Sequence, residues 1–458
     1  MDPLKLESMT PTLPLDIMND PQVLPSLPRK PLWHDDPDIP YILSTHLIDA
    51  APFRTCPEVA FLDQAMRAHA QMQAPGLEKK ERQRIAKESS ELMMEWRGKV
   101  LHSRDAAGKP EVYARSLWIC MNRYVRKDVE RTPRKRKGLT LFLAHAIGNN
   151  KETWEPFIRS LLKSRSGRDI EEVWAWDAVD NGDSALLNAG KLNFPSDWYD
   201  VARDLTHFLL HYIPPKVTSE ELPVCLPRVS TAELQTRLHQ GYTDRQVIVV
   251  GHSYAGNVCA RACYTYPQLF AALVLIDPGI LAKDEQNDKQ LGLTIGQAAF
   301  ARRDGWNSKE EALSSFRKSP FFVSWHPDAL QLLIDHGLYS SPNQKPQTPD
   351  SEGVDTTWHL KMHPVYEALA NVNAGGLTSD MYDKVPELSG RVYIKWVMPD
   401  VKNGGGMAGP KRSAILVNRR PGYTSHVNIP DTSHMIPLQK PEEVGELNHF
   451  FSPIPLFQ

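Results

Sequence analysis

Residues Arg245–Ile280 read RQVIVVGHSYAGNVCARACYTYPQLFAALVLIDPGI, and this stretch decides the fold. Val247–Val250 is a short all-apolar run of the kind buried in a parallel sheet. It leads straight into Gly251-His252-Ser253-Tyr254-Ala255-Gly256, and the helix-compatible NVCARACYTY follows. A strand, a turn of small residues and a helix make a nucleophile elbow. The turn is so tight that the serine backbone is strained. Gly251, with Ala255 or Gly256, lets the strand and helix approach closely. The Ser253 hydroxyl is then projected above the sheet at a helix N-terminus, where the dipole favours developing negative charge. The fifth position of the usual G-x-S-x-G pattern is Ala255, which is small enough to be tolerated. A bland structural turn can carry the same five residues; the flanking strand and helix favour the nucleophile.

Working outward, similar apolar segments occur at Leu139–Ala144, Val173–Trp176, Leu273–Ile276 and, later, Val392–Val397. Helical stretches such as Trp154–Leu162 and Trp198–Tyr212 separate them. Short apolar strands alternating with helices predict an α/β fold, a mostly parallel central sheet with helices on both faces. Residues 282–388 lie between two such strands and hold their own helical patterns, so they are expected to be an inserted cap over the sheet's carboxyl edge, where ligands bind in open α/β folds. Residues 214–244 look like a surface excursion. Residues 1–100 read as an N-terminal extension: a Pro-rich arm, then helix formers at 62–98 broken at Pro75-Gly76. The expected core is therefore 101–281 plus 389–458. Residues 111–125 suit strands, and Arg134-Lys135-Arg136-Lys137 before Gly138 is expected to be a solvated hairpin turn rather than a nuclear-import signal.

A serine hydroxyl needs a base, and the base needs an acid to orient it. With an elbow of this kind the chain order is Ser, then Asp or Glu, then His. His434, in IPDTSHMIPLQKPEEV, sits in a loop before a helix start and is the expected base; His426 lies in the strand-like YTSHVNI and is the rival. Two acids stay open. Asp277 ends LVLI, and Asp400 ends VYIKWVMP, so both stand at the sheet's carboxyl edge. The Gly-rich VKNGGGMAGPK after Asp400 makes a less rigid platform; it lacks the features of a phosphate loop and reads as floppy. The oxyanion donors are expected to be the backbone N–H groups of Tyr254 and Ile147, the latter in the loop HAIGNN after the strand LTLFLA.

The 458 residues carry 53 Lys and Arg against 55 Asp and Glu, a net charge of -2. That balance argues against nucleic acid as the main partner. Hydrophobic residues at 41% supply a large core, and the 37 prolines, about 8%, predict many loops. No run of about 18 apolar residues is present, so no integral membrane segment is expected. The N-terminus lacks the pattern of a secretory signal, and the five scattered cysteines suggest neither a disulfide framework nor a metal site. A reducing, cytoplasmic location is the expectation. Nothing excludes a homodimer.

The residues resemble the α/β-hydrolase superfamily. More narrowly, NRYV at 122–125, AHAIGNNKETWEP at 144–156, DNGDSALLN at 180–188, GHSYAG and LIDPG are similar to a fungal branch that includes acyl-CoA hydrolases of mycophenolic acid biosynthesis, toxin-pathway hydrolases and peroxisomal lipase-like proteins. The resemblance spans roughly 115–280 and 390–450. It implies the α/β-hydrolase fold and a triad acid after the sixth strand, which favours Asp277 over Asp400. It also raises the peroxisome as an alternative location, although PIPLFQ does not match the peroxisomal C-terminal signal. The expectation is a serine hydrolase for a carboxylic ester, thioester or lactone with a hydrophobic acyl group, needing no cofactor. Acyl transfer by the same triad and a non-catalytic binding fold are the alternatives. Trp306, Phe322, Trp325 and Trp358, with Phe321, are the expected substrate-binding residues of the cap.

Overall fold

The computed structural model describes residues 29–107, 113–114, 116–130, 137–194, 197–342, 356–372, 374–399, 406–407 and 409–446. Asp400 and Arg134 to Arg136 therefore lie outside the described residues. The core is an eight-stranded sheet of β1 (Tyr41–Asp49), β2 (Trp118–Arg126), β3 (Gly138–Ala144), β4 (Ile170–Trp176), β5 (Arg245–His252), β6 (Ala272–Ile276), β7 (Tyr393–Pro399) and β8 (Thr424–Ile429). Their spatial order is β1-β2-β4-β3-β5-β6-β7-β8. The run from β4 to β8 is parallel. β2 is antiparallel to both its neighbours.

The apolar strands are buried because both faces of the sheet are covered. Val247 and Val249 point to one side, with Phe142, Trp174 and Trp176, and meet helix α4 (Trp198–His211) and helix α5 (Tyr254–Thr265) through Leu205, Phe208 and Val258. Ile248 and Val250 point to the other side, with Leu141 and Val173, and meet α3 (Glu155–Lys163) through Phe157, Ile158 and Leu161. Each fully buried aliphatic or aromatic chain contributes about 1.5–3 kcal/mol relative to exposure.

Three expectations change here. The segment before residue 100 supplies the edge strand β1, paired with β2 from Tyr41–Arg126 to Asp49–Trp118. Its residues alternate only partly between buried and exposed positions, so the strand is weak in sequence. The segment 214–244 does more than cross the surface: Leu47 N–H donates to Val224 O at 2.7 Å and Leu226 N–H to Leu47 O at 3.0 Å, which covers part of the exposed edge. The expected hairpin between β2 and β3 is also overturned, because β4 lies between them in the sheet.

Helices α1 (Leu62–Gln73) and α2 (Lys79–Ala107) break at Pro75-Gly76 as expected. The segment between β6 and β7 carries α6 (Glu285–Phe300), α7 (Lys309–Arg317), α8 (Pro327–Gly337), the hairpin Leu338–Pro342 with Thr356–Leu360, α9 (Pro364–Val372) and α10 (Ala374–Lys384). The N-terminal helices pack against this insertion. Ala65, Ile85 and Met93 meet Ala299, Phe300, Val365 and Leu369 in one apolar cluster. Among the described residues no helix is long and apolar enough to cross a membrane.

Candidate active site

Ser253 occupies the turn between β5 and α5 with φ 61° and ψ −126°, a left-handed conformation that costs on the order of 1–3 kcal/mol for a residue with a side chain. The surroundings enforce it. A Cβ on Gly251 would lie 2.5 Å from Ala255 O, and one on Gly256 would lie 2.6 Å from Pro278 Cβ, so only glycine lets strand, helix and the 278 turn meet. Ser253 N–H donates to Ile276 O at 3.0 Å, and Gly279 N–H returns to Ser253 O at 2.7 Å. The elbow is thereby stapled to the end of β6, where Asp277 also takes a positive φ of 34°.

His434 arrives from the loop after β8. Ser433 N–H donates to Gln439 Oε1 at 2.8 Å, and Thr432 Oγ1 donates to Ile429 O at 2.8 Å. His252 Nε2–H donates to His434 O at 2.8 Å. Burial, then the neighbouring His434, pushes the His252 imidazole down to about 3, so this brace stays neutral.

These supports bring three expected residues together. His434 Nε2 stands 2.9 Å from Ser253 Oγ, and His434 Nδ1 stands 2.5 Å from Asp277 Oδ2. The carboxylate can only accept, so Nδ1 carries the ring proton and Nε2 is left as an acceptor for the serine hydroxyl. The Asp277 carboxyl is fully buried, and Met407 N–H donates to its Oδ2 at 3.0 Å. The stretch around residue 406 that reads as floppy thus supplies a brace for Asp277. Asp400 lies outside the described residues, and His426 lies on β8 beside a separate cavity.

Ser253 opens into a cavity of about 30 Å³. Its walls include Ile147 and Tyr254, Trp198, Leu291 and Ile295 of α6, and Met407. Tyr254 is the first residue of α5, so its N–H has no acceptor within the helix. The Ile147 N–H has no hydrogen-bond partner among the described residues. The expected aromatic pocket is corrected: none of Trp306, Phe321, Phe322, Trp325 and Trp358 lines this cavity. Trp306, Phe322 and Trp325 are buried in a cluster with Phe316, and Trp358 packs against it. The Phe316 and Phe322 rings lie 4.4 Å apart. The insertion does not share the sheet's core here and needs one of its own, and its largest apolar side chains fill it. The wall residues on α6 were missed because Leu291 and Ile295 look like any helical apolar pair; their spacing of one turn was the only signal.

The sheet order, the elbow and the late histidine define a class. The model of the alpha/beta hydrolase family matches residues 141–447, and the chain belongs to that family. It is 25% identical over 309 residues to the type I acyl-CoA thioesterase mpaH of Penicillium brevicompactum, covering 66% of this chain but only 58% of that protein. It is 23% identical over 342 residues to the peroxisomal membrane protein LPX1 of Saccharomyces cerevisiae, covering 71% and 78%. The abhydrolase domain-containing protein AFT2-1 of Alternaria alternata is 26% identical over 222 residues, covering 44% and 82%. Among solved structures, the peroxisomal α/β-hydrolase Lpx1 of Saccharomyces cerevisiae superposes with a TM-score of 0.54 at 20% identity, over 75% of this chain and 84% of that one. That likeness supports the fold.

Proposed function

We propose that the protein is a serine hydrolase that cleaves an acyl thioester or ester through an acyl-enzyme. The observation that carries this reading is the unbroken hydrogen-bonded line Ser253–His434–Asp277 at a strained elbow. Ser253 Oγ attacks the acyl carbonyl as His434 Nε2 takes its proton. The N–H groups of Ile147 and Tyr254 receive the oxyanion of the tetrahedral intermediate. His434 returns the proton to the departing thiol or alcohol, then takes one from the water that releases the acid. Asp277 stays ionised and holds the imidazolium.

An acyl-CoA thioester is the first substrate class to test, because the mpaH proteins carry that activity in their names. The apolar wall of Leu281, Leu291, Ile295 and Met407 suits the acyl chain rather than the CoA moiety. A cavity of about 30 Å³ holds about two waters, so binding an acyl chain calls for its walls to part.

A fluorophosphonate probe, with peptide mass spectrometry to locate the adduct, tests the reading. The expected result is modification at Ser253 and none in Ser253→Ala, which should lose turnover on acyl-CoA, p-nitrophenyl ester and lactone panels by at least about 10³-fold. Its melting temperature should stay within a few degrees. An unmodified wild-type protein that turns over no panel member would defeat the proposal.

A further inference from the structure

A chain of buried charges runs from the inserted segment to the loop that carries Ile147. Lys151, Asp177, Asp183 and Lys361 are each at most 5% exposed. Lys151 Nζ lies 2.8 Å from Asp177 Oδ2, 2.6 Å from Asp183 Oδ2 and 2.9 Å from Glu152 Oε1. Lys361 Nζ pairs with the other Asp183 oxygen. Burial pushes the Asp183 carboxyl up, but the lysines on its two oxygens outweigh it and hold it down to about 2.

The backbone is built into the same cluster. Lys151 N–H donates to Asp177 Oδ1 at 2.7 Å, and Asp183 N–H donates to Asp177 Oδ2 at 2.9 Å. Gly182 has φ +48°, and a Cβ there would fall 2.3 Å from Asp177 Oδ2. The turn Asn181–Asp183 is therefore registered on Asp177. Its first residue reaches the oxyanion loop: Gly148 N–H donates to Asn181 Oδ1 at 3.1 Å. That N–H belongs to the peptide unit joining Ile147 to Gly148. Lys361 is the member supplied by the insertion, just after the strand Thr356–Leu360, and its own N–H is fixed to Gly337 O at 2.9 Å.

We propose that Lys361 is a positioning residue: pairing with Asp183 from the inserted segment, it fixes the Asn181–Asp183 turn and, through the Asn181–Gly148 hydrogen bond, the Ile147 N–H that receives the oxyanion. The inference rests on the hydrolase reading above and adds that the oxyanion site is complete only while the insertion is seated. Lys361 does not border the Ser253 cavity, so it acts through the turn rather than on the substrate. Taking one lysine from a carboxylate buried this deeply leaves an uncompensated oxygen, and the turn must move to find another partner.

The test compares full-length wild type, Lys361→Met and Lys361→Arg on p-nitrophenyl butyrate, with an aryl trifluoromethyl ketone as a probe of the tetrahedral adduct. Lys361→Met should lower kcat by about 10–100-fold, somewhat less than outright loss of an oxyanion donor, with KM within about threefold. Inhibition by the ketone should weaken by a similar factor, and Lys361→Arg should recover most of both. Should Lys361→Met fold poorly, the double variant Lys361→Met/Asp183→Asn removes the stranded charge and is expected to show the same kcat loss. Unchanged kcat and ketone inhibition in a folded Lys361→Met protein, or a rise in KM alone, overturns the proposal while wild-type turnover keeps the hydrolase reading intact. A wild-type protein inert to both ester and ketone removes both together.

Discussion

Gly406 has no side chain because the Asp277 carboxyl occupies the space. A Cβ there would sit 1.9 Å from Asp277 Oδ2, while the next residue donates its N–H to that oxygen. Gly406→Ala should therefore displace the carboxylate and turn the imidazole away from Ser253, lowering kcat by about 10–100-fold in a protein that still folds; a misplacement of about 1 Å is enough. Steady-state kinetics, with circular dichroism to verify folding, would check it. Ser253 and His434 were legible as candidates because one follows an apolar strand and the other stands in a loop before a helix start, whereas the residues alone left both Asp277 and Asp400 open and the family resemblance favoured Asp277. The brace at 406–407 was not legible, since a Gly-rich run looks the same whether it is loose or holds a carboxylate. The buried Lys151 and Lys361 were equally hidden, because a lysine code letter says nothing about the acids folded around it.

At the level of elements, the apolar strands announced the sheet, and the half-polar β1 escaped notice because an edge strand does not need two apolar faces. Aromatic residues misled in the insertion, where rings built a local core instead of a pocket wall. The wall is α6. Its Gly296 leaves no room for a side chain: a Cβ would come within 2.6 Å of Val372 Cγ1, so α6 and α9 lie in tight contact. Ile295 on the same helix faces the cavity, so, if the proposed acyl group binds there, Ile295→Trp should block it. We expect kcat/KM for p-nitrophenyl decanoate to fall by at least about tenfold, and for the acetate by less than about threefold. Equal losses on both esters would place the chain elsewhere.

Across the whole molecule, buried neutral histidines set the response to acid. Burial is the first cause that pushes His46, His145 and His336 down to about 4, and His252 to about 3. In the unfolded chain these rings take a proton near pH 6.5, so unfolding binds protons and stability falls as pH drops from about 6.5 towards 4. Asp177 works the other way. Burial above all raises it to about 7, so its contribution is lost as pH rises from about 4 to 7. Burial also raises Asp200, Asp204 and Glu367, but among the described residues eight histidines are lowered against these four carboxyls. The melting temperature should therefore be lower at pH 5 than at pH 7, and calorimetry in buffers of different ionisation enthalpy should register net proton uptake at pH 5.5.

The packing of α1 and α2 on α6 and α9 has a consequence for synthesis. The apolar face of α2, with Ile85 and Met93, finds its cover only once Val372 has left the ribosome, some 265 residues after α2 ends. At about 5–20 residues per second that is a wait of roughly 15–50 s. During that interval a nascent helix hairpin with a bare oily stripe is a client for chaperones, and producing the protein slowly and cool should improve its soluble yield.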